Sequence, residues 1–374
     1  MIYYLTYNDS PSGIFSSQVI DVVKYFNSEL KSPTKLVSFI SLRGFFDNRK
    51  KIKNELPKAI VLPMVPGVKR WKWNIVLLFI LSFIFKPTFI IGRSVLATQL
   101  AFKLKKAKRV PYVIYDGRGA IYAEWHEYSV ITNPKLLEQI SSLESEVVLN
   151  SDFRISVSTE LIKYWQTYYN YNLTNHVVIP CTLNNVFEKF ALTDNKVSEA
   201  RELFGFSPSD IVFIYSGSIA GWQSFDLLCA FLSKQLSFST NYKILFLSDM
   251  DKHIQDLKLQ FPCQVYQKKV SQTEVPYFLS LGNYGILVRE HTITNKVASP
   301  VKFAEYLCCG LAVIISDNLG DYSKFVKENE CGILVDNFNY KAFDKSKLHE
   351  LAIKYFTKNS HFNSYKSLIQ NFYK

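Results

Sequence analysis

Arg289, Lys302 and Glu305 lie in one short segment, REHTITNKVASPVKFAEYLCCGLAVIISDNLG, and are the residues of this chain whose types and spacing best suit chemistry. Two cations this close can take a diphosphate by charge-assisted hydrogen bonds. A carboxylate a turn beyond the lysine can accept bonds from ribose hydroxyls. Three elements must position them. Tyr284 to Val288 is an apolar run of strand length. Ser299 is the expected N-cap of the next helix and Pro300 its first residue. Val301, Phe303, Ala304, Leu307 and Cys308 give that helix an apolar face, Gly310 stops it, and Leu311 to Ile315 reads as a second buried strand. A helix N-terminus just beyond a strand end favours an anion. The same pattern also fits an ordinary strand-helix-strand unit of any doubly wound domain.

Length and composition bound the alternatives. A chain of 374 residues is long enough for two domains, and 48% hydrophobic content excludes a disordered protein. The formal net charge of +12 suits a negatively charged partner. There is no zinc-finger, helix-turn-helix or aromatic RNA-binding signature, so nucleic acid is not expected. The six cysteines, Cys181, Cys229, Cys263, Cys308, Cys309 and Cys331, form no C-x-x-C pair and read as small apolar residues of a reducing compartment. The start, MIYYLTYND, lacks the basic and long apolar regions of a signal peptide and reads as a first buried strand.

The segment 289–320 resembles the donor-binding region of GT-B glycosyltransferases, specifically glycosyltransferase family 4 enzymes that build bacterial surface polysaccharides. Those often read as Arg, a polar loop, Asn, then Ser-Pro-x-Lys-Phe-x-Glu-Tyr-Leu-x-x-Gly. The matching residues are Arg289, Asn295, Ser299, Pro300, Lys302, Phe303, Glu305, Tyr306, Leu307 and Gly310. The resemblance implies an α/β GT-B fold, two Rossmann-like doubly wound domains facing across a cleft. It implies retaining, metal-independent hexosyl transfer with no cofactor. The substrate would be a nucleoside diphosphate sugar, and the acceptor a glycan or lipid-linked glycan of capsule, O-antigen (lipopolysaccharide) or exopolysaccharide. It puts Glu305 on ribose, Arg289 and Lys302 on diphosphate, and Gly217, Ser218 and Ser299 beside the donor.

Three departures from the family pattern stand out. Ser218 replaces the Arg of a Gly-Arg turn, Gln223 stands near the place of the accompanying Lys, and Val297 replaces the first of two glutamates. Glu290 is either a substitute carboxylate or a solvated loop charge. These losses keep a non-catalytic scaffold subunit open as an alternative. A sugar-nucleotide 2-epimerase of the same fold is another.

In the first half, Tyr115-Asp116-Gly117-Arg118-Gly119 follows a strand-like run, and Glu124 comes shortly after. It resembles an Asp-x-Arg-Gly segment of the same transferases. Asp116 and Arg118 are accordingly catalytic and acceptor-side candidates, Asp116 orienting a hydroxyl and Arg118 facing the departing nucleotide. A structural Asp–Arg pair holding a glycine turn is the competing reading. Gly13 is the third acceptor-side candidate, because a glycine there permits close backbone approach. Asp249-Met250-Asp251 could hold a metal as Asp-x-Asp or, before a helical HIQDLKLQF, serve as an N-cap; no metal is expected.

Alternating patterns place the rest. Tyr3–Tyr7, Leu36–Ile40, Ala59–Leu62, Phe89–Ile91, Val110–Tyr115 and Ile155–Ser158 are strand candidates, with a helix from Ser12-Gly13 and another over 128–149. A second series starts near residue 197, with a helix over Trp222–Leu236 and a strand at Lys243–Leu247. Residues 178–195 read as a linker. The expected division is 1–185, acceptor side; 186–355, nucleotide-sugar binding; and 356–374, a helix crossing back to the first domain. Ile75 to Phe85 is an apolar run about half the length needed to span a bilayer. It reads either as a buried helix or as an interfacial one. In the second case Lys69, Arg70 and Lys72, interleaved with Trp71 and Trp73, and a second basic run over 103–109 would meet an anionic membrane surface. The expected location is cytoplasmic, peripheral on the inner face of the cell membrane. Nucleotide base, donor sugar, acceptor and linkage depend on a few pocket side chains and are not fixed by these motifs.

Overall fold

The computed structural model describes residues 1–131, 133–317 and 319–372. The chain divides into two compact units. Unit 1 holds Met1–Cys181, Val297–Ser299 and the segment from His361 onward; unit 2 holds Thr182–Lys296 and Pro300–Ser360.

Unit 1 is built on a parallel sheet of β1 (Ile2–Tyr7), β2 (Thr34–Ile40), β3 (Ile60–Pro63), β4 (Phe89–Arg93), β5 (Tyr112–Gly117), β6 (Phe153–Ser156) and β7 (His176–Val178). Their spatial order is β3-β2-β1-β4-β5-β6-β7. Helices cover both faces of such a sheet, so its central strands read as continuous apolar runs; every residue of IYYLTY is buried. The sequence pattern missed β7, whose HVV is only half-buried and too short to show a period. Ser12 caps the first helix by accepting from Phe15 N, and Gly13–Phe15, a π-helical turn at Ser16–Ile20 and Asp21–Ser28 follow one another. The helix expected over 128–149 begins at Pro134, because Asn133 caps it through Leu136 N. The C-terminal helix Phe362–Gln370 belongs to this unit: Tyr365, Leu368 and Ile369 join its core, with Tyr365 edge-on to Phe26 at 5.3 Å.

Unit 2 repeats the winding with β8 (Ile211–Ser216), β9 (Tyr242–Leu247), β10 (Val265–Gln267), β11 (Tyr284–Leu287), β12 (Ala312–Ile315) and β13 (Gly332–Leu334), in the order β10-β9-β8-β11-β12-β13. In both sheets the winding reverses beside the first strand, between β1 and β4 and between β8 and β11. At such a switch point the loops beyond the strand ends diverge and leave a crevice. The helix expected from Trp222 is interrupted: a 3-10 turn at Gly221–Gln223 ends at Ser224, whose φ is 52°, and the α-helix runs Phe225–Phe238. The expected linker is partly folded, since Asn184 caps a turn at Asn185–Glu188 that buries Phe187.

The two basic segments differ in how far their side chains are engaged within unit 1. Within 103–109, Lys105 pairs with Asp152 at 2.6 Å, and Arg109 donates to Ser82 O at 3.0 Å with its guanidinium 3.7 Å over the Phe83 ring. Lys105 and Arg109 are thus engaged within the unit, while Lys106 and Lys108 are exposed. Trp71 is buried and only Trp73 is exposed. Among the described residues no helix is long and apolar enough to cross a membrane. The six cysteines are free thiols.

Candidate functional site

At the switch point of unit 2, β8 leads into Gly217 and β11 into Arg289. Both meet the start of the helix Val301–Cys308. Lys302 Nζ donates to Tyr215 OH at 2.9 Å and to Gln223 Oε1 at 3.0 Å, and lies 4.1 Å from the Tyr215 ring centre. Arg289 Nη2 donates to the same Gln223 oxygen at 3.2 Å, and Nη1 lies 3.5 Å from Asn295 Oδ1. All four side chains, Lys302, Gln223, Arg289 and Asn295, are buried. Gln223, near the place of the family's lysine, is thus the shared neutral acceptor of two cations. The backbone is fixed as well: Arg289 N donates to Ser316 Oγ at 2.8 Å and Glu290 N to Ser224 Oγ at 2.9 Å.

Two glycines admit the side chains of this helix. Gly217, at φ +131°, leaves room for Lys302, and a Cβ at Gly285 would stand 2.2 Å from Tyr306 Cγ. Through that gap Tyr306 OH accepts from Ser216 N at 3.0 Å, pinning the end of β8.

The electrostatics favour an anion. Burial pushes the Lys302 ammonium well below its usual range, Arg289 pushes it further, and Glu305 opposes both. Burial raises the Glu305 carboxyl to about 7, with Lys302 drawing it back. Glu305 is half-buried, and its side chain makes no hydrogen bond or ion pair with a described residue. Two clustered cations share a neutral acceptor one turn from a carboxylate with no described partner, a set of groups whose chemistry suits an anion that also carries hydroxyls.

Other expected residues land differently. Ser299 is not the N-cap. Pro300 holds that position without a side-chain bond, while Ser299 Oγ accepts from Cys181 N at 2.8 Å within unit 1. Ser218 enters through its carbonyl, which accepts from Tyr215 OH. Glu290 is exposed. Asp251 is the N-cap of Lys252–Gln260, and Asp249 pairs with Lys269 at 2.6 Å. Among the described residues no group of three or more His, Cys, Asp or Glu is placed to hold a metal ion.

Unit 1 has its own cluster at its switch point. Asp116, at the end of β5, is fully buried. Arg118 Nε lies 2.8 Å from its Oδ1, Arg118 Nη2 donates to Oδ2 at 3.0 Å, and Tyr4 OH donates to Oδ2 at 2.5 Å. Arg93, ending β4, is 3.8 Å from Asp116 and 3.6 Å from Asp9, which follows β1. The Asp116–Arg118 contact is therefore a buried, multiply bonded pair. Gly13 is exposed at the start of its helix. Nearby Glu124 is half-buried, its carboxyl raised to about 7 by burial. Arg93 and Asp9 have no role in the sequence reading, and Tyr215 figures there only as the end of a strand before the Gly217 turn. A strand-terminal Arg in FIIGR was the available signal for Arg93.

Residues 237–363 match the family described as the glucosyltransferase 3-like C-terminal domain. The match includes Arg289, Lys302 and Glu305 and begins after Gly217 and Gln223. No curated protein matches the chain in sequence. Solved structures resemble it along its length. HepE of Anabaena in complex with UDP superposes with a TM-score of 0.71 at 12% identity, covering 99% of both chains. A glycosyltransferase from Rickettsia africae gives 0.69 at 12% identity, covering 100% of this chain and 99% of that one. A putative UDP-N-acetylglucosamine 2-epimerase from Listeria monocytogenes gives 0.56 at 9% identity, covering 96% and 89%. At these identities the likeness establishes the fold, two Rossmann-like units of the GT-B type.

Proposed function

We propose that this chain, whose fold is that of the GT-B glycosyltransferases, moves a sugar from a nucleoside diphosphate sugar to a glycan or lipid-linked acceptor of bacterial polysaccharide synthesis. The observation that carries this reading is the buried Lys302–Gln223–Arg289 arrangement beside Glu305 at the switch point of unit 2. Lys302 and Arg289 would neutralise the diphosphate as it departs, which is where charge grows in the transition state. Glu305 would accept the ribose hydroxyls. The backbone at Gly217 and Ser218 would approach the phosphates, and the roles missing at Ser218 and Gln223 pass to the two cations. Retention of configuration and independence from metal are proposed from the family 4 resemblance of the 289–310 segment. In unit 1, Arg118 and Arg93 would face the acceptor side with Asp116 as their buried anchor.

Thermal unfolding with UDP, GDP, CMP and dTDP, on the wild type and on Glu305→Ala, tests the donor site. At ~100-fold excess over its dissociation constant a ligand adds roughly 2.7 kcal/mol to what binds it. Stabilisation by one nucleotide, lost in the variant, supports the reading and identifies the base. Stabilisation by none overturns it in favour of a scaffold. Turnover of the sugar nucleotide without any acceptor, to a 2-epimer, would select the epimerase.

A further inference from the structure

The helix Ile75–Ile84, IVLLFILSFI, is turned inside out. Of its ten residues only Leu78 and Ser82 are buried, so its single polar residue faces inward. Ser82 is retained there by Arg109, which donates to its carbonyl and hydroxyl at 3.0 and 3.2 Å. The outward side is apolar: Val76 is 53% exposed, Ile80 53%, Phe83 58% and Ile84 63%, and Trp73 just before the helix is 66% exposed. A helix that solvates aliphatic and aromatic side chains while burying its hydroxyl is built for an apolar neighbour.

What lies beside the helix identifies that neighbour. A groove of about 260 Å³ opens at its N-terminal approach, lined by Lys69, Arg70, Trp71, Lys72, Lys135 and Gln139, among others. Four of these are cations, no acidic side chain lines the groove, and none of the four forms an ion pair with a described residue. Trp71 forms the aromatic wall, with Lys72 and Lys103 each 5.8 Å from its ring centre. Exposed apolar side chains next to an uncompensated cationic groove match a surface that is apolar a few ångströms below a layer of phosphates.

We propose that unit 1 docks on an anionic phospholipid bilayer through the outward face of Ile75–Ile84 and Trp73, with a lipid phosphate seated in the Lys69–Arg70–Lys72–Lys135 groove. The apolar face enters the acyl boundary and the groove stays at headgroup level. Docking uses no residue of the unit 2 site and does not depend on the proposed activity.

Co-sedimentation of the full chain with vesicles of phosphatidylcholine alone, or of phosphatidylcholine with phosphatidylglycerol, tests it. The expected result is at least ~10-fold tighter binding to the anionic vesicles, weakening with salt. Val76→Glu with Ile80→Glu, two exposed positions, should abolish binding. Lys69→Glu with Lys72→Glu should remove the preference for anionic lipid. Circular dichroism melting verifies that each variant folds, and the nucleotide response of unit 2 should be unchanged. Absence of binding to anionic vesicles, or binding that survives Val76→Glu with Ile80→Glu, overturns the proposal. So does complete displacement by inorganic phosphate, which would make the groove a site for free phosphate. Self-association lost in the Val76→Glu, Ile80→Glu variant, without vesicle binding, would assign the face to a second copy instead.

Discussion

Lys302 occupies the space that any side chain at position 217 would need: a Cβ there would lie 2.5 Å from Lys302 Cε and 2.8 Å from its Nζ. Gly217 also has φ +131°, a conformation side chains rarely adopt. Gly217→Ala should therefore displace Lys302 and strain the end of β8. The expected outcome is affinity for the stabilising nucleotide weakened by ~10-fold or more, a loss of roughly 1.4–3 kcal/mol. Titration calorimetry with the stabilising nucleotide measures it.

Gln223 holds the two cations apart from each other with one neutral oxygen. Gln223→Glu places a full negative charge between them and supplies internally what the diphosphate supplies from outside. The apo protein should gain thermal stability while nucleotide affinity falls by about tenfold or more. A variant that kept wild-type affinity would show that Lys302 and Arg289 do not contact the diphosphate.

Glu305 makes stability depend on pH in a definite sense. Its folded-state carboxyl titrates at about 7, raised from 4.5 by burial. The folded protein therefore binds the proton more tightly than the unfolded chain. The stability this contributes is full below 4.5 and lost as pH rises to 7. At ~1.4 kcal/mol per tenfold change in proton affinity, less solvent screening, the loss is at most ~3 kcal/mol. Glu305→Gln should melt higher than wild type at pH 8, with the difference vanishing near pH 4.5. Melting across that range checks the sign, and the variant should also lose its response to nucleotide.

Lys302 adds a proton signature. Its ammonium is held well below the usual range in the apo protein. An arriving diphosphate favours the charged form, so binding should take up protons at a pH above the depressed value. Calorimetry in buffers of different ionisation enthalpy reads the uptake, and Lys302→Met should abolish it.

Asp116 tests the other unit. Asp116→Asn removes the charge that Arg118 and Arg93 share in a buried site. Breaking one side of such a pair costs about 3–5 kcal/mol. Unfolding followed by a probe in unit 1 should show that loss, while the nucleotide response of unit 2 persists. If stability were unchanged and only transfer failed, Asp116 would be an acceptor residue rather than an anchor.

A large part of the fold is legible in the sequence. Central strands of parallel sheets are buried on both faces, so runs such as IYYLTY and DIVFIYS announce themselves without partners. The helix at Val301–Cys308 was marked by its apolar spacing and by Pro300, and its lysine and glutamate one turn apart suggested a bound anion with hydroxyls. Other features could not be read, because they depend on which strands lie side by side. Gln223, Tyr215 and Arg289 meet at Lys302 only because β8 and β11 are neighbours, although residues 215 and 289 are far apart along the chain. Tyr4, Arg93 and Asp116 converge because β1, β4 and β5 are adjacent. Ser299, which local pattern assigned to a helix cap, is drawn instead to the Cys181 backbone. Periodicity records how a segment is buried and what local structure it takes. Strand order and the non-local hydrogen bonds it permits decide which charges share an oxygen, and tertiary packing alone decided that the apolar Ile75–Ile84 helix would turn its greasy face outward.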